Sequence, residues 1–232
     1  MADRPIELHI WPTPNAYKIS IFMEEAGLPY VVKLVNIGKG EQFQPEFLKI
    51  APNNRMPAIV DPDGPGGEPI SVFESGAILQ YLGRKTGKFY PTGERKRVEV
   101  DQWLMWQMGG LGPMCGQTHH FRQYAAEKIP YAIDRYTNEV NRLYGVLNRQ
   151  LAGKQYICGE LSIADMACFP WVRPWERQGQ NLADFPHLKA WFERMDARPA
   201  VKRALDVAKE AQGTDLSKDD PARAVLFGQR AR

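Results

Sequence analysis

The chain has 232 residues, of which 44% are hydrophobic and 25% charged, a composition typical of a folded globular protein. Its net charge of +3 comes from 30 Lys and Arg residues against 27 Asp and Glu residues. So small an imbalance, without a long basic run, argues against a nucleic-acid partner. The N-terminus lacks the apolar stretch of a signal peptide, and no apolar run approaches the roughly 20 residues of a membrane span, so we expect no membrane partner.

Cysteine and histidine usage gives no sign of a metal site. The three cysteines, Cys115, Cys158 and Cys168, form neither a CxxC pair nor a metal-ligand spacing, which fits a reducing, cytoplasmic setting. His119 and His120 are adjacent, so they do not share a helix face, and the sequence offers no third ligand. We therefore predict that the protein holds no metal.

The first third of the chain alternates strands with helices. Residues 6–10 alternate apolar and polar side chains, which predicts a half-buried strand, and the helix that follows ends at Gly27. Residues 30–37 are rich in β-branched residues, which predicts a second strand. Strand, helix and strand at this spacing form a βαβ unit, so the two strands should be parallel.

The next segment predicts a hairpin followed by a helix. A short helix is predicted over residues 44–50, and a third strand begins after Pro57. A loop rich in Gly and Pro connects that strand to a fourth at residues 70–74, which should be antiparallel to the third. Ser75, an N-cap residue type, begins a helix that ends near Gly87.

Beyond about residue 94 the pattern predicts helices without strands. Residues 98–108 are apolar nearly all round, which predicts a buried central helix, and residues 130–151 carry the single apolar stripe of a long helix. Ser162 and Asp165 stand at the capping-box interval, so we assign them a structural role at the start of another helix.

These patterns predict an α/β domain followed by an all-α domain. We place a βαβ-α-ββα domain at residues 1–90, an all-helical domain at residues 96–212 and a polar tail at residues 213–232. Within the tail, residues 224–227 are apolar enough to dock against a domain.

Pro57 stands at the head of a strand, although a proline cannot donate to a sheet ladder. The thioredoxin-like fold has this βαβ–ββα layout and uses a proline at this point. If the Met56–Pro57 bond is cis, Met56 turns its N–H and C=O outward, and an extended peptide can pair with that edge. We therefore predict a cis bond, with a structural role for Pro57.

Glu74 and Ser75 stand where the fourth strand gives way to a helix. The free N–H groups and the positive dipole end of that helix suit a carboxylate, while Glu74 can take an ammonium. An edge for a peptide backbone, together with a site for an α-amino acid head, predicts a site for a small zwitterionic peptide.

Three motifs resemble those of the cytosolic glutathione transferases, and the resemblance covers about residues 6–210. They read NNRMPAIV, FESGAILQYL and SIADMACFPW. Further stretches are similar to the Nu-class branch, which includes bacterial glutathione-dependent disulfide-bond oxidoreductases and the globular domain of the yeast nitrogen-regulation prion protein. They read PTPNAYKI, GKGEQFQPEFLKIAPNN and GGLGPMCGQTHHF.

The resemblance implies glutathione as co-substrate and a homodimer with two glutathione sites near the dimer cleft. In that interpretation Met56 pairs with the cysteinyl backbone of glutathione. Glu74 and Ser75 hold its γ-glutamyl end.

Three more glutathione contacts are implied by the resemblance, and each has a plainer alternative. Gln42 would reach the glycyl side of glutathione, or it is an exposed loop residue. Gln102 would come from the partner subunit, or it is an interface residue without a ligand. Arg135 would meet a glutathione carboxylate, or it is a surface arginine.

Thioredoxins place a CxxC at the turn between the first strand and helix, whereas residues 13–16 read TPNA. The reacting thiol must therefore come from glutathione, and donors at a helix start lower a thiol pKa. We predict Thr13 and Asn15 as the catalytic donors, with Asn15 also binding glutathione. Tyr17 is a rival for this role, and turn or cap residues are the alternative for Thr13 and Asn15.

The sequence thus predicts a glutathione-dependent disulfide-bond oxidoreductase with glutathione transferase activity, acting on a small disulfide or electrophile. One alternative is a conventional transferase that conjugates glutathione to hydrophobic electrophiles. The other is a non-catalytic regulator that binds glutathione.

Overall fold

The structure, a computed structural model, describes residues 4–211 and 220–230. The chain divides into two compact units, one comprising Met1–Tyr81 and Arg203–Arg232 and the other Leu82–Lys202. Among the described residues, every helix is too short or too polar to cross a membrane.

A four-stranded mixed sheet forms the centre of the first unit. Its strands are β1 (Ile6–Ile10), β2 (Tyr30–Leu34), β3 (Ala58–Asp61) and β4 (Ile70–Phe73), in the order β2-β1-β3-β4. β1 pairs parallel with β2 and antiparallel with β3, which pairs antiparallel with β4. The predicted parallel βαβ unit and the predicted hairpin are therefore confirmed.

The second strand is shorter than predicted because a capped turn interrupts it. The Asn36 side chain accepts hydrogen bonds from the backbone N–H groups of Gly38 and Lys39, at 3.0 and 3.2 Å. These bonds stabilise a 3-10 turn at Ile37–Lys39, and turn geometry competes with the extended conformation of a strand.

Three helices accompany the sheet: α1 (Pro14–Ala26), α2 (Pro45–Ile50) and α3 (Ser75–Thr86). Pro14 takes the first position of α1, where its missing N–H leaves no hydrogen bond unmade. Gly27 ends the helix in the left-handed conformation, with φ 67°. Ile19, Phe22 and Met23 of α1 are fully buried.

The C-terminal part of the first unit includes a docked helix, α10 (Asp220–Phe227). Ala222 is buried, and a Cβ atom added to Gly38 would lie 3.3 Å from its Cβ. Arg55 Nη1 donates to Gln229 Oε1 at 2.8 Å. The predicted tail therefore contains a packed helix, while its residues 213–219 and 231–232 lie outside the described residues.

The second unit consists of helices. They are α4 (Glu94–Trp106), α5 (Gly112–His119), α6 (Pro130–Gln150), α7 (Ile163–Val172), α8 (Pro186–Asp196) and the first half of α9 (Pro199–Asp206). One-turn π segments flank α5 at Gln107–Leu111 and His120–Tyr124. The described residues of this unit pair as strands only in an isolated bridge between Cys158 and Glu160. The predicted α/β plus all-α fold class is confirmed.

The prediction that residues 98–108 form a buried central helix is wrong for the single chain. Val100 and Leu104 are the buried residues of α4, whereas Val98 and Met105 are 45% and 50% exposed. Apolar side chains project from α4 on all sides, but the rest of the chain packs against only one face of the helix. The other face keeps an exposed apolar surface.

Ser162 and Asp165 form a capping box at the start of α7. Asp165 is fully buried, and its Oδ1 accepts from the Ile157 N–H at 2.9 Å and from Trp191 Nε1 at 2.8 Å. Burial raises the pKa of Asp165, and these hydrogen bonds partly offset that effect. The carboxylate thus joins three segments of the helical unit.

Candidate active site

Ser75 begins α3, and its hydroxyl contacts a buried lysine of α1. Lys18 Nζ donates to Ser75 Oγ at 3.3 Å, and the two residues are 1% and 6% exposed. The first turn of α3 therefore combines the positive end of the helix dipole with a buried positive charge. The positive end of the helix dipole favours a bound carboxylate at this helix start.

Glu74, one residue earlier, has a left-handed backbone with φ 68°. For an L-residue that conformation costs roughly 1–2 kcal/mol. Its exposed carboxylate accepts a hydrogen bond from Asn53 Nδ2 at 3.2 Å. The strained turn thus places a carboxylate, suited to an ammonium, directly beside the helix start at Ser75.

The Met56–Pro57 bond is cis, as the sequence predicts. Pro57 is buried, and Met56 is half-buried against the apolar cluster that includes Val35 and Phe47. The ladder between β3 and β4 begins at Ala58, two residues beyond Met56. Met56 therefore lies just outside the ladder, before the start of β3.

The start of α1 carries the two predicted donors, Thr13 and Asn15, and both are half-buried. Thr13 caps the helix, since its Oγ1 accepts from the Ala16 N–H at 3.3 Å, and a hydroxyl that accepts in this way can still donate its proton. Asn15 and Lys18 are three residues apart, so they share a face of α1. Because Lys18 contacts Ser75, Asn15 lies on the face of α1 that meets the start of α3.

Tyr17, the rival to Asn15, lies roughly 200° around the helix from it, because each residue of an α-helix advances about 100°. Asn15 and Tyr17 therefore point to different surroundings. This geometry favours Asn15 over Tyr17 as the donor near Ser75.

Gln42 is nearly fully buried, at 1% exposure, in contrast to the exposed loop residue of the alternative interpretation. Its Nε2 donates to the Ile37 carbonyl at 3.3 Å. Within the described residues its buried Oε1 has no hydrogen-bond partner. The contact of Gln42 with the glycyl side of glutathione stays a prediction.

Gln102 and Arg135 belong to the second unit, where both side chains are exposed, on α4 and α6. Arg135 contributes to a lowered pKa of Glu139, although a hydrogen bond from Arg142 is the larger cause. Their contacts with glutathione stay predictions.

All three cysteines are free, and burial makes at least two of them poor nucleophiles. Burial raises the pKa of the Cys115 thiol well above its ordinary range. Burial, with the charge of Asp165 second, raises the pKa of Cys158 to about 12. Cys168 is fully buried. The thiolate, the form that attacks disulfides, is therefore scarce on Cys115 and Cys158 at neutral pH.

Two residues at this site were missed by sequence reasoning. Lys18 is the only charged residue in the largely apolar stretch KISIFM, three residues after Asn15, and that placement was a usable signal. Asn53 precedes Pro57 in a polar turn, and nothing in the sequence connects it to Glu74. Elsewhere in the described chain, no three His, Cys, Asp or Glu side chains are grouped so that they could hold a metal ion.

Two family models match the chain. The glutathione S-transferase N-terminal domain matches residues 5–84, and the glutathione S-transferase C-terminal domain matches residues 118–199. The chain therefore belongs to the glutathione S-transferase family.

The relatives of this chain include the predicted branch. It is 55% identical over 202 residues to the disulfide-bond oxidoreductase YfcG of Escherichia coli K12, covering 86% of this chain and 94% of that protein. It is 34% identical over 235 residues to Protein URE2 of Candida glabrata, covering 83% and 64% respectively. The predicted resemblance to these two groups is confirmed.

The solved structure of another relative contains a bound ligand. A glutathione transferase from Pseudomonas putida, with one glutathione disulfide bound per subunit, superposes with a TM-score of 0.82 at 44% identity. The match covers 87% of this chain and 90% of that one.

Proposed function

We propose that this protein is a glutathione-dependent disulfide-bond oxidoreductase with glutathione transferase activity. One observation carries the proposal: the start of α3 meets α1 through the contact between Ser75 and Lys18, and the start of α1 offers Asn15 and no cysteine. The identity to a disulfide-bond oxidoreductase and the bound glutathione disulfide of the Pseudomonas putida relative support the same activity.

Glutathione binds with its γ-glutamyl head at the start of α3. Ser75 holds the α-carboxylate, Glu74 holds the ammonium, and Met56 pairs with the cysteinyl backbone. With glutathione bound through these contacts, its thiol lies toward the start of α1, where Thr13 and Asn15 donate to it. Three further contacts complete the proposed site. Gln42 reaches the glycyl side of glutathione, and Gln102 comes from the partner subunit. Arg135 of α6 meets a glutathione carboxylate.

The reaction uses two glutathione molecules and no protein thiol. The thiolate of bound glutathione attacks one sulfur of the substrate disulfide, forms a mixed disulfide and releases the other sulfur as a thiolate, which takes up a proton. A second glutathione thiolate attacks the glutathione sulfur of the mixed disulfide, and the second substrate thiol leaves. The products are glutathione disulfide and two thiols. The same activated thiolate attacks electrophiles in the transferase activity.

We also propose a cytoplasmic homodimer. The exposed apolar side chains of Val98 and Met105 on α4 support a partner surface. Three free cysteines support a reducing compartment. The predicted domain limits, residues 1–90 and 96–212, stay part of this proposal. Light scattering at micromolar concentration tests the dimer, and a monomeric mass contradicts it.

The test of the activity compares two substrates in one enzyme preparation. Purified protein is assayed with glutathione and a small disulfide, with glutathione disulfide formation as the readout, and separately with a chlorinated aromatic electrophile. We expect turnover of the disulfide, with slower conjugation. If the protein catalyses only conjugation, the result favours a conventional transferase. If it binds glutathione but catalyses neither reaction, the result favours a non-catalytic regulator.

A further inference from the structure

We infer that the C-terminal helix α10 is an autoinhibitory cover of the proposed glutathione site. While α10 is docked, glutathione cannot reach Gln42, so the helix has to leave before the ligand makes all of its contacts. The inference rests on the proposed function, because it concerns access to the same site. It involves the first unit alone, which contains both α10 and the residues that α10 contacts.

α10 lies directly on the turn that follows β2. A Cβ atom added to Gly38 would lie 3.3 Å from the Cβ of Ala222, and one added to Gly40 would lie 3.7 Å from Cγ1 of Val225. The helix therefore packs against a part of the turn that has no side chains of its own. Ala222 is 2% exposed, which makes it the centre of this contact.

The same turn leads into Gln42, the residue proposed to reach the glycyl side of glutathione. Gln42 Nε2 donates to the Ile37 carbonyl at 3.3 Å, so its side chain is bonded to the turn that α10 covers. Gln42 is 1% exposed. A contact with glutathione needs a side chain that a ligand can reach, and the docked state does not offer one. The proposed contact therefore requires an opening at this turn.

A second contact of the tail lies beside the peptide-pairing edge. Arg55 Nη1 donates to Gln229 Oε1 at 2.8 Å, and Arg55 directly precedes Met56. Gln229 is itself bonded to α10, since its Nε2 donates to the Val225 carbonyl at 3.2 Å. The docked tail thus contacts both segments that supply proposed glutathione contacts, the one that leads to Gln42 and the one that leads to Met56.

The packing of α10 allows it to be released. Among its side chains that the structure describes, Ala222 alone is buried, whereas Val225 and Leu226 are half-buried and Phe227 is 46% exposed. Segments with few buried apolar contacts open at a lower free-energy cost than the whole protein. Docked and released states should therefore exchange in the native protein. The apparent Kd of glutathione is then the Kd of the released state divided by the released fraction.

The first test releases α10 and measures binding. Isothermal titration calorimetry gives the Kd of S-methylglutathione, which carries no thiol, for wild type, Ala222→Asp and Ala224→Asp. Ala222→Asp places a carboxylate at the buried contact and should release the helix, because burying an unpaired charge is costly. Ala224 is an exposed residue of the same helix, so Ala224→Asp makes the same change and leaves docking intact.

If the docked state makes up about nine tenths of the wild-type protein, Ala222→Asp should bind S-methylglutathione about tenfold more tightly. Ala224→Asp should bind as wild type does. The direction of the change is informative, because damage to the fold would weaken binding. Unchanged or weaker binding by Ala222→Asp, relative to Ala224→Asp, contradicts the inference.

The second test locks α10 in the docked state. The 3.3 Å between the two Cβ positions is close to the roughly 3.5–4.5 Å of a disulfide, so the double variant Gly38→Cys/Ala222→Cys should form a cross-link. TCEP reverses the cross-link, whereas S-methylglutathione, a thioether, does not. The oxidised double variant should bind S-methylglutathione at least about tenfold more weakly than the same protein after reduction. Gly38→Cys alone, which cannot form the cross-link, should not respond to TCEP.

The cross-link separates the inference from the proposed function. If the oxidised and reduced forms bind S-methylglutathione equally, the inference is wrong while the proposed function stands. If wild type, Ala222→Asp and the reduced double variant all fail to bind it, the proposed function fails and the inference with it. If circular dichroism shows that Ala222→Asp does not fold, the comparison of the oxidised and reduced forms decides.

Discussion

Asn53 Nδ2 donates to Glu74 Oε1 across 3.2 Å, and this bond joins the turn before the cis proline to the start of α3. The two halves of the proposed glutathione site, the peptide-pairing edge at Met56 and the amino-acid site at Glu74, are thereby held together. Glu74 keeps a left-handed backbone while it does so. Its carboxylate and its strained backbone therefore predict separable effects of mutation.

Glu74→Gly should separate stability from binding. Glycine adopts the left-handed conformation without steric cost, but it also gains freedom in the unfolded chain. We expect the free energy of unfolding to stay unchanged or to rise by up to about 1 kcal/mol. The Kd for glutathione should rise, because the carboxylate that pairs with the ligand ammonium is gone. Urea denaturation and calorimetry measure the two quantities.

Glu46→Gly is the matched control. Glu46 lies in the first turn of α2, where it pairs with Lys49 at 2.8 Å, and its backbone is helical. Glycine should lower the free energy of unfolding there by about 1 kcal/mol and leave the Kd unchanged. A loss of stability in Glu74→Gly as large as in the control would show that the backbone at Glu74 is not strained.

Asn15→Ala should slow disulfide reduction. Losing one hydrogen bond to a charged group costs roughly 1.5–3 kcal/mol. If that bond is made mainly to the glutathione thiolate, kcat falls about ten- to a hundredfold, since each 1.36 kcal/mol is a factor of ten. Glutathione should still bind through Met56, Glu74 and Ser75. Steady-state kinetics with a small disulfide give kcat and KM separately.

Thr13 needs a different pair of variants because it also caps α1. Thr13→Ala removes the cap as well as the donor, and the cap alone contributes about 1 kcal/mol of stability. Thr13→Ser keeps both functions of the hydroxyl and should stay close to wild type. An activity loss of equal size in Thr13→Ser and Thr13→Ala would mean that the hydroxyl is not the group that matters.

His119 should make the helical unit sensitive to acid. Burial, with the charge of Arg177 second, lowers the pKa of His119 from 6.5 to about 4. Below pH 6.5 the unfolded chain takes up a proton that the folded protein does not, so the free energy of unfolding falls as the pH falls. His119 contributes up to about 1.4 kcal/mol per pH unit to that fall, which ends near pH 4.

Denaturant titrations from pH 7 to pH 4 measure this slope. His119→Gln should flatten it, whereas His187→Asn, at an exposed position, should leave it as in wild type. An unchanged slope in His119→Gln would show that His119 takes up its proton equally in both states.

Much of the fold could be predicted because its signals are local. The alternation at residues 6–10 and the apolar stripe of α6 follow the strand and helix periods. Gly27 is a local signal that ends α1. The cis bond before Pro57 was predictable once the βαβ–ββα order identified the fold. The capping box at Ser162 is likewise contained in four consecutive residues.

The remaining features depend on contacts between distant residues. Lys18 and Ser75 are 57 residues apart, and nothing near either residue predicts that they meet. The burial of Gln42 depends on how its turn packs, which sequence periodicity does not describe. The exposure of α4 shows the same limit, because an apolar pattern predicts that a surface is covered without indicating what covers it.

The central claim is that the reacting thiol belongs to glutathione, and removing every protein thiol tests it most directly. The triple variant has Cys115→Ala and Cys168→Ala, which avoid burying a hydroxyl, and Cys158→Ser at the half-buried position. Its glutathione-dependent reduction of a small disulfide should stay within about threefold of wild type, less than one factor of ten in rate. A folded triple variant that has lost disulfide reduction would contradict the account, because the nucleophile would then be a protein cysteine.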